Sequence, residues 1–145
     1  MAVLLRTIAL TISLITFSFT IVSAADTIKC TECGMMVDVN SKFASKIVQA
    51  DGTLYFCDIG DLFSYLKRTK QNSVKAEVKD YKTGEWIDAR AAYYVHAEKI
   101  FSTPMGWGIA SFKDQKDATG FGVAMDFDSM TKAPKWKRLP PLQHC

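Results

Sequence analysis

The feature that most constrains the fold is the segment 41–70, whose pattern predicts a β-hairpin followed by a helix. Residues 42–49 and 54–57 have the composition and alternation of strands. Asp51 and Gly52 lie between them, and Asp-Gly is a preferred pair for a two-residue primed turn. The segment therefore predicts two antiparallel strands joined by a tight turn at these two residues.

A helix is predicted directly after the hairpin. Asp58 is a favourable N-cap residue because its carboxylate can accept a hydrogen bond from a free N–H of the first turn. Lys67, Arg68 and Lys70 fall in the expected last turn, where the helix dipole favours cations, and the helix is expected to end at Asn72-Ser73. Four apolar residues repeat at helical spacing: Ile59, Leu62, Phe63 and Leu66.

A further strand is predicted at 74–81, ending at a turn over Thr83-Gly84. Residues 86–89 resemble a core strand with Asp88 at its edge. The first part of the chain thus has the order strand, strand, helix, strand.

The same order recurs downstream. Residues 92–97 and 105–112 are predicted strands, 114–119 a short helix and 123–127 an extended segment. We therefore expect an α+β fold that consists of two small ββαβ-type units in tandem.

The amino terminus predicts export. Arg6 is followed by an uncharged run over 7–25, which ends in the small-residue pattern Val22-Ser23-Ala24. We assign residues 1–24 to a secretory signal peptide, so the two units would follow it. The alternative is a retained membrane anchor, because the run is long enough to span a bilayer. The folded domain is then expected at 25–131, followed by a basic, proline-rich tail at 132–145.

Composition and motifs exclude several functions. The chain of 145 residues carries a formal charge of +3 with scattered lysines, so no basic stripe predicts nucleic-acid binding. The sequence contains no Ser-His-Asp order, phosphate-binding loop or carboxylate pair with supporting context. We therefore expect a protein that is not an enzyme.

The motif best suited to chemistry is Cys30-Thr31-Glu32-Cys33-Gly34-Met35. Two thiols separated by two residues can bind one metal ion or each other. Gly34 permits a tight turn, and Met35 adds a thioether just beyond it. Thiolate and thioether together form a soft ligand set, which favours Cu(I) over hard cations.

Three other interpretations of this cysteine pair stay open. The pair could form a structural disulfide after export, in a module where Cys57 and Cys145 also pair. It could be the redox pair of an exported thiol-disulfide oxidoreductase, although a loop rather than a helix is expected after it. It could belong to a structural zinc site, for which Cys57 would be a third ligand and no fourth is apparent.

Thr103-Pro104-Met105-Gly106 is the second notable element. Pro104 restricts the backbone and Gly106 relieves crowding, so Met105 is expected at the mouth of a strand, where it could complete a sulfur triad. The alternative is that Met105 is an ordinary core residue. His96 is expected to be a half-buried strand residue rather than a ligand.

These elements together resemble the NosL family, the accessory proteins of nitrous oxide reductase maturation. The resemblance rests on Cys33-Gly34-Met35, the hairpin and helix, Trp86-Ile87-Asp88-Ala89 and Thr103-Pro104-Met105-Gly106, in that order. It implies a fold of two small ββαβ-type units. It also implies a periplasmic Cu(I)-binding protein that delivers copper for assembly of the reductase's copper centres.

The resemblance also implies a metal site. Cys33 and Met35 match the family's Cys-Gly-Met motif, and Met105 matches its later Met-Gly position. Cys30 is additional to that motif and is included as an optional fourth ligand. The expected partners are the copper ion and a membrane transporter assembly, the reductase apoprotein, or both, with no nucleic acid. A lipidation motif does not precede Cys30, whose neighbours are Thr27-Ile28-Lys29.

Overall fold

The first half of the chain folds as its pattern predicts. The computed structural model describes residues 27–71 and 73–133, so the predicted signal peptide and the tail from 134 onward lie outside it. The order strand, strand, helix, strand is confirmed, with these bounds: β1 (Ser45–Gln49), β2 (Gly52–Phe56), α1 (Ile59–Thr69) and β3 (Lys75–Lys79).

The hairpin turn lies one residue earlier than predicted. Gln49 pairs with Gly52, so the two loop residues are Ala50 and Asp51, not Asp51 and Gly52. Gly52 has a φ of 151°, whereas neither loop residue has a positive φ. A primed turn needs positive φ at its central residues, which Ala50 and Asp51 do not have. The positive φ lies instead at Gly52, the first residue of β2, where a glycine permits it.

Helix α1 begins as expected and ends early. The carboxylate of Asp58 accepts a hydrogen bond from the Gly60 N–H at 3.1 Å, which caps the helix. The helix ends at Thr69, because Lys70 adopts a left-handed conformation with φ 56°, before the predicted end at Asn72-Ser73. The four predicted apolar residues are all buried.

Helix α1 contributes to the main core beside a four-stranded antiparallel sheet. The strand order is β2-β1-β3-β4, where β4 is Trp86–Asp88. Apolar side chains from the sheet and the helix form one cluster, to which Cys30, Cys57 and Met105 also belong. The cluster also contains Tyr94 and Ile109 from farther along the chain, so Cys30 and Cys57 lie in a core that both units share.

The second unit is smaller than the first. It contains β5 (Tyr93–His96), β6 (Ile109–Phe112) and α2 (Gln115–Thr119), and β5 pairs antiparallel with β6. The predicted extended segment 123–127 contributes one antiparallel bridge, between Met125 and Tyr94. The mixed α+β class is confirmed, and the last strand of this unit is reduced to a single bridge.

The predicted strand 105–112 is wrong over its first half. Strand β6 starts only at Ile109, because Gly106 and Gly108 have φ values of 71° and 62° that no strand residue adopts. The alternation of large and small residues that predicted a strand here reflects a turn with two glycines. Met105 lies in this turn and is not displayed at the mouth of a strand.

A last helix, α3 (Phe127–Lys132), was not predicted. The Asp126 carboxylate accepts a hydrogen bond from the Ser129 N–H at 2.7 Å, and Phe127 and Met130 are buried one turn apart. Six residues are too few for a periodic pattern to be recognised. Within the described residues, every helix is too short or too polar to cross a membrane.

The start of α1 packs against the turn that precedes β6. A Cβ atom added to Gly60 would overlap the side chain of Trp107. The absence of a side chain at position 60 therefore allows the indole ring to lie directly on the first turn of the helix.

We predict that Gly60→Ala destabilises the protein, although alanine is normally the better helix former by about 1 kcal/mol. The added methyl group would displace Trp107, and overpacking of this kind costs roughly 1–3 kcal/mol. Urea denaturation measures the change. Gly120→Ala is the matched control, since Gly120 has a helical φ of −64° and an added Cβ meets only ordinary contact. Equal stability of Gly60→Ala and the parent protein would contradict this packing.

Candidate metal centre

Four potential metal ligands converge at one end of α1. They are the thiols of Cys30, Cys33 and Cys57 and the carboxylate of Asp61, whose ligand atoms all lie within 4.8 Å of one another. Cys57 follows β2, and Asp61 lies in the first turn of α1. The other two thiols come from the loop before β1. Three separate pieces of the chain thus meet at this site, which we call the four-donor cluster.

Backbone hydrogen bonds fix the loop that carries Cys30 and Cys33. The Cys30 N–H donates to the Met35 carbonyl at 2.7 Å, and the Gly34 N–H donates to the Cys30 carbonyl at 2.9 Å. Gly34 has a φ of 75°, so the tight turn needs a glycine there. The loop is also attached to β2, since the Thr31 N–H donates to the Tyr55 carbonyl at 2.8 Å.

The donor atoms within the cluster are in direct contact. The sulfur atoms of Cys33 and Cys57 are 3.4 Å apart. The thiols of Cys30 and Cys57 each donate to Oδ2 of Asp61 at 3.5 Å. The other oxygen of this carboxylate, Oδ1, accepts a hydrogen bond from Nε1 of Trp107 at 2.7 Å. The indole therefore holds Asp61 with Oδ2 turned toward the thiols.

Three of the four donor residues are buried, and Cys33 is partly exposed to solvent. Cys30, Cys57 and Asp61 are 3%, 4% and 2% exposed, whereas Cys33 is half-buried. Met35 is 48% exposed just beyond it. A metal ion or a partner protein would therefore reach the cluster at Cys33, the one donor that is partly exposed.

Burial raises the pKa of both the Cys33 and the Cys57 thiol above the ordinary value. Both thiols are therefore protonated near neutral pH in the metal-free protein. The nucleophilic cysteine of a thiol-disulfide oxidoreductase instead has a lowered pKa, commonly at a helix N-terminus. Cys33 lies in a turn with the opposite shift, which disfavours the oxidoreductase interpretation.

The structure brings together only part of the predicted ligand set. Cys30 and Cys33 lie in the cluster, and Met35, two residues after Cys33, is an exposed side chain. Met105 is 9% exposed and belongs to the same core cluster as Cys30 and Cys57, and its N–H donates to Oδ2 of Asp58 at 3.0 Å. The ligand roles of Met35 and Met105 stay predictions.

Sequence reasoning missed Asp61 and gave Cys57 too little weight. The zinc interpretation lacks a fourth ligand in the sequence, and Asp61 is a fourth potential donor in the structure. The sequence gives little signal for this pair, since Cys57 lies two residues before α1 begins at Ile59 and the helical spacing that places residues i and i+4 on one face does not extend to it. His96 ends β5 as a half-buried residue, with Nε2 3.3 Å from Oε1 of Glu98, and lies outside the cluster.

Comparison with known proteins agrees with the resemblance seen in the sequence. The model of the NosL family matches residues 21–133. Among solved structures, the chain is similar to the copper chaperone NosL from Shewanella denitrificans, with 26% sequence identity and a TM-score of 0.63. The match covers 77% of this chain and 96% of the other. A search of curated proteins finds no match.

We predict that alkylation of Cys33 by iodoacetamide is slow at pH 7 and that its rate keeps rising beyond pH 9, where an ordinary thiol would level off. The raised pKa leaves little thiolate at pH 7, and that fraction grows about tenfold per pH unit until the pKa is reached. Mass spectrometry of the Cys33 peptide measures the rate, while the buried Cys30 and Cys57 should stay unmodified in the native protein. A rate already maximal at pH 7 would contradict the raised pKa and favour a redox-active cysteine.

Proposed function

Since this chain belongs to the NosL family, we propose that it is a periplasmic copper chaperone that binds Cu(I) and passes it on without catalysing a reaction. The solved NosL structure from Shewanella denitrificans, described as a copper chaperone, supports the proposal. The observation that carries it is the convergence of three thiols in one cluster, of which Cys33 is partly exposed. Soft sulfur donors favour Cu(I) over the hard cations.

We place copper at the exposed edge of the four-donor cluster. Cys33 is the central ligand, Met35 and Met105 provide thioethers, and Cys30 is an optional fourth ligand. Support comes from the half-buried position of Cys33, the exposure of Met35 and the burial of Met105 in the core that contains Cys30. A small number of sulfur ligands leaves room for a ligand from a partner.

Copper binding must displace the proton of Cys33. Because burial raises the pKa of this thiol, the metal-free protein holds that proton at neutral pH and releases it when the thiolate binds copper. Affinity therefore rises with pH, and loss of copper is favoured where the thiol can be reprotonated. This coupling would assist release to a partner.

Transfer would proceed by stepwise ligand exchange. A cysteine, methionine or histidine of the partner would enter the open coordination position beside Met35, and the chaperone's ligands would then leave one at a time. The recipient we propose is the copper-centre assembly of nitrous oxide reductase, reached through an ATP-driven transporter assembly in the membrane or directly at the apoprotein. The predicted signal peptide at 1–24 would bring the domain at 25–131 to the periplasm.

An anaerobic competition titration of the reduced protein with Cu(I) and a strong colorimetric chelator tests this proposal. We predict binding of one Cu(I) per chain, weakened at least about 100-fold in Cys33→Ser, because replacing a direct ligand costs more than replacing an outer partner. His96→Ala is the control and should retain its affinity, since His96 lies outside the cluster. Equal losses in the two variants, or no competition with the chelator, would rule out the proposed site.

A further inference from the structure

We propose that a basic pocket between the end of α1 and α3 binds a phosphate-type oxyanion. The pocket has a volume of about 450 Å³, and two buried apolar residues, Leu66 and Phe127, form part of its lining. Its four cationic side chains are those of Lys67, Lys70, Arg90 and Lys132. The proposed copper function uses none of these residues.

The lining of the basic pocket is unbalanced in charge. Four cations against one acid, Asp128, give it a formal charge of +3. Elsewhere, Lys46, Arg68 and Lys82 form ion pairs at 2.8, 2.6 and 2.9 Å. Within residues 27–71 and 73–133, none of the four cations of the pocket forms an ion pair. Like charges around one pocket repel each other, and a bound anion would offset that repulsion.

The four cations come from three separate parts of the chain. Lys67 and Lys70 lie at the C-terminal end of α1, and Lys132 ends α3, so each of them offsets a helix dipole. Arg90 lies in the turn after β4, outside any helix, so no helix dipole accounts for its position. Helix stabilisation therefore explains only part of this convergence.

Protein contacts hold two of the cations in place. The Lys67 amino group donates a hydrogen bond to the Ala133 carbonyl at 2.6 Å, and the Arg90 guanidinium lies 4.7 Å from the centroid of the Phe127 ring. A side chain that is already ordered loses less conformational entropy when it binds a ligand. Burial also lowers the pKa of Lys67, and an adjacent anion would oppose that shift by favouring the charged amino group.

These donors suit a phosphate-type ligand. A guanidinium offers N–H groups in a planar fork that matches two oxygens of a phosphate group, and lysines supply compact positive charges. The net positive charge of the lining favours a multiply charged anion over a singly charged one. The volume lies within the range of small-molecule sites, which leaves room for a diphosphate or for the headgroup of an anionic phospholipid.

The basic pocket and the four-donor cluster lie at opposite ends of α1. Asp61 is in the first turn and Lys67 in the last, which separates them by about 9 Å along the helix axis. The two sites share no residue, so an anion and a metal ion could be bound at the same time. Failure of one proposal would therefore leave the other standing.

Isothermal titration calorimetry of the full chain with pyrophosphate, at physiological ionic strength, tests the basic pocket. We expect saturable binding of one pyrophosphate per chain, weakened at least about tenfold in Lys70→Gln/Lys132→Gln, which removes two charge-assisted contacts. Lys75→Gln/Lys99→Gln is the matched control, because it removes two exposed lysines outside the pocket and should keep the parent affinity. Asp128→Asn removes the one opposing charge and should tighten binding.

Phosphatidylglycerol vesicles, with phosphatidylcholine vesicles as the neutral control, distinguish the two sources of the phosphate group. If a lipid headgroup is the ligand, cosedimentation with phosphatidylglycerol falls in Lys70→Gln/Lys132→Gln and excess pyrophosphate competes. If a soluble anion is the ligand, this variant loses pyrophosphate binding and its cosedimentation is unchanged.

The inference is overturned if both probes treat the two double variants alike, whether pyrophosphate binding is absent, non-saturating or equally weakened. Cu(I) titration of the same variants separates this result from the copper proposal. Lys70→Gln/Lys132→Gln should bind Cu(I) as the parent protein does, which also verifies that the variant is folded.

Discussion

The hydrogen bond from the Trp107 indole to Asp61 is the interaction on which the rest of the site depends. A carboxylate buried to this degree is costly to desolvate unless both oxygens find donors. The indole donates a hydrogen bond to Oδ1, and the thiols of Cys30 and Cys57 donate to Oδ2. Because Gly60 has no side chain, the ring can lie on the first turn of α1 and make this bond. One contact thereby ties the turn before β6, the helix and two cysteines together.

In this arrangement some potential metal ligands are buried and others are exposed. Cys30, Cys57 and Asp61 lie inside the core, where their positions are set by the hairpin and by the start of α1. Cys33 and Met35 follow on the surface of a turn that backbone hydrogen bonds keep in place. A chaperone needs both properties, since its metal must be protected from other ligands and yet be accessible to one partner. A sulfur cluster that is buried at Cys30 and Cys57 and partly exposed at Cys33 suits both needs.

Local patterns predicted the parts of the fold that local interactions determine. The hairpin and α1 follow from alternation, from the cap at Asp58 and from helical spacing, and these depend on neighbours in sequence. The turn before β6 was misread because glycines at 106 and 108 imitate the alternation of a strand, and left-handed φ values are not visible in a residue pattern. Asp61 could not be predicted as a donor because its orientation depends on a hydrogen bond from Trp107, which is 46 positions away in the sequence. The site could therefore be located from its cysteines but not completed from the sequence.

X-ray absorption at the copper edge of the Cu(I)-loaded protein measures the ligand shell directly. If Cys33 and the neighbouring sulfur atoms hold the ion, the first shell is dominated by sulfur at a low coordination number, and replacing Cys33 with serine removes or changes that shell. A first shell dominated by nitrogen or oxygen, unchanged in that variant, would contradict a copper site at this end of α1.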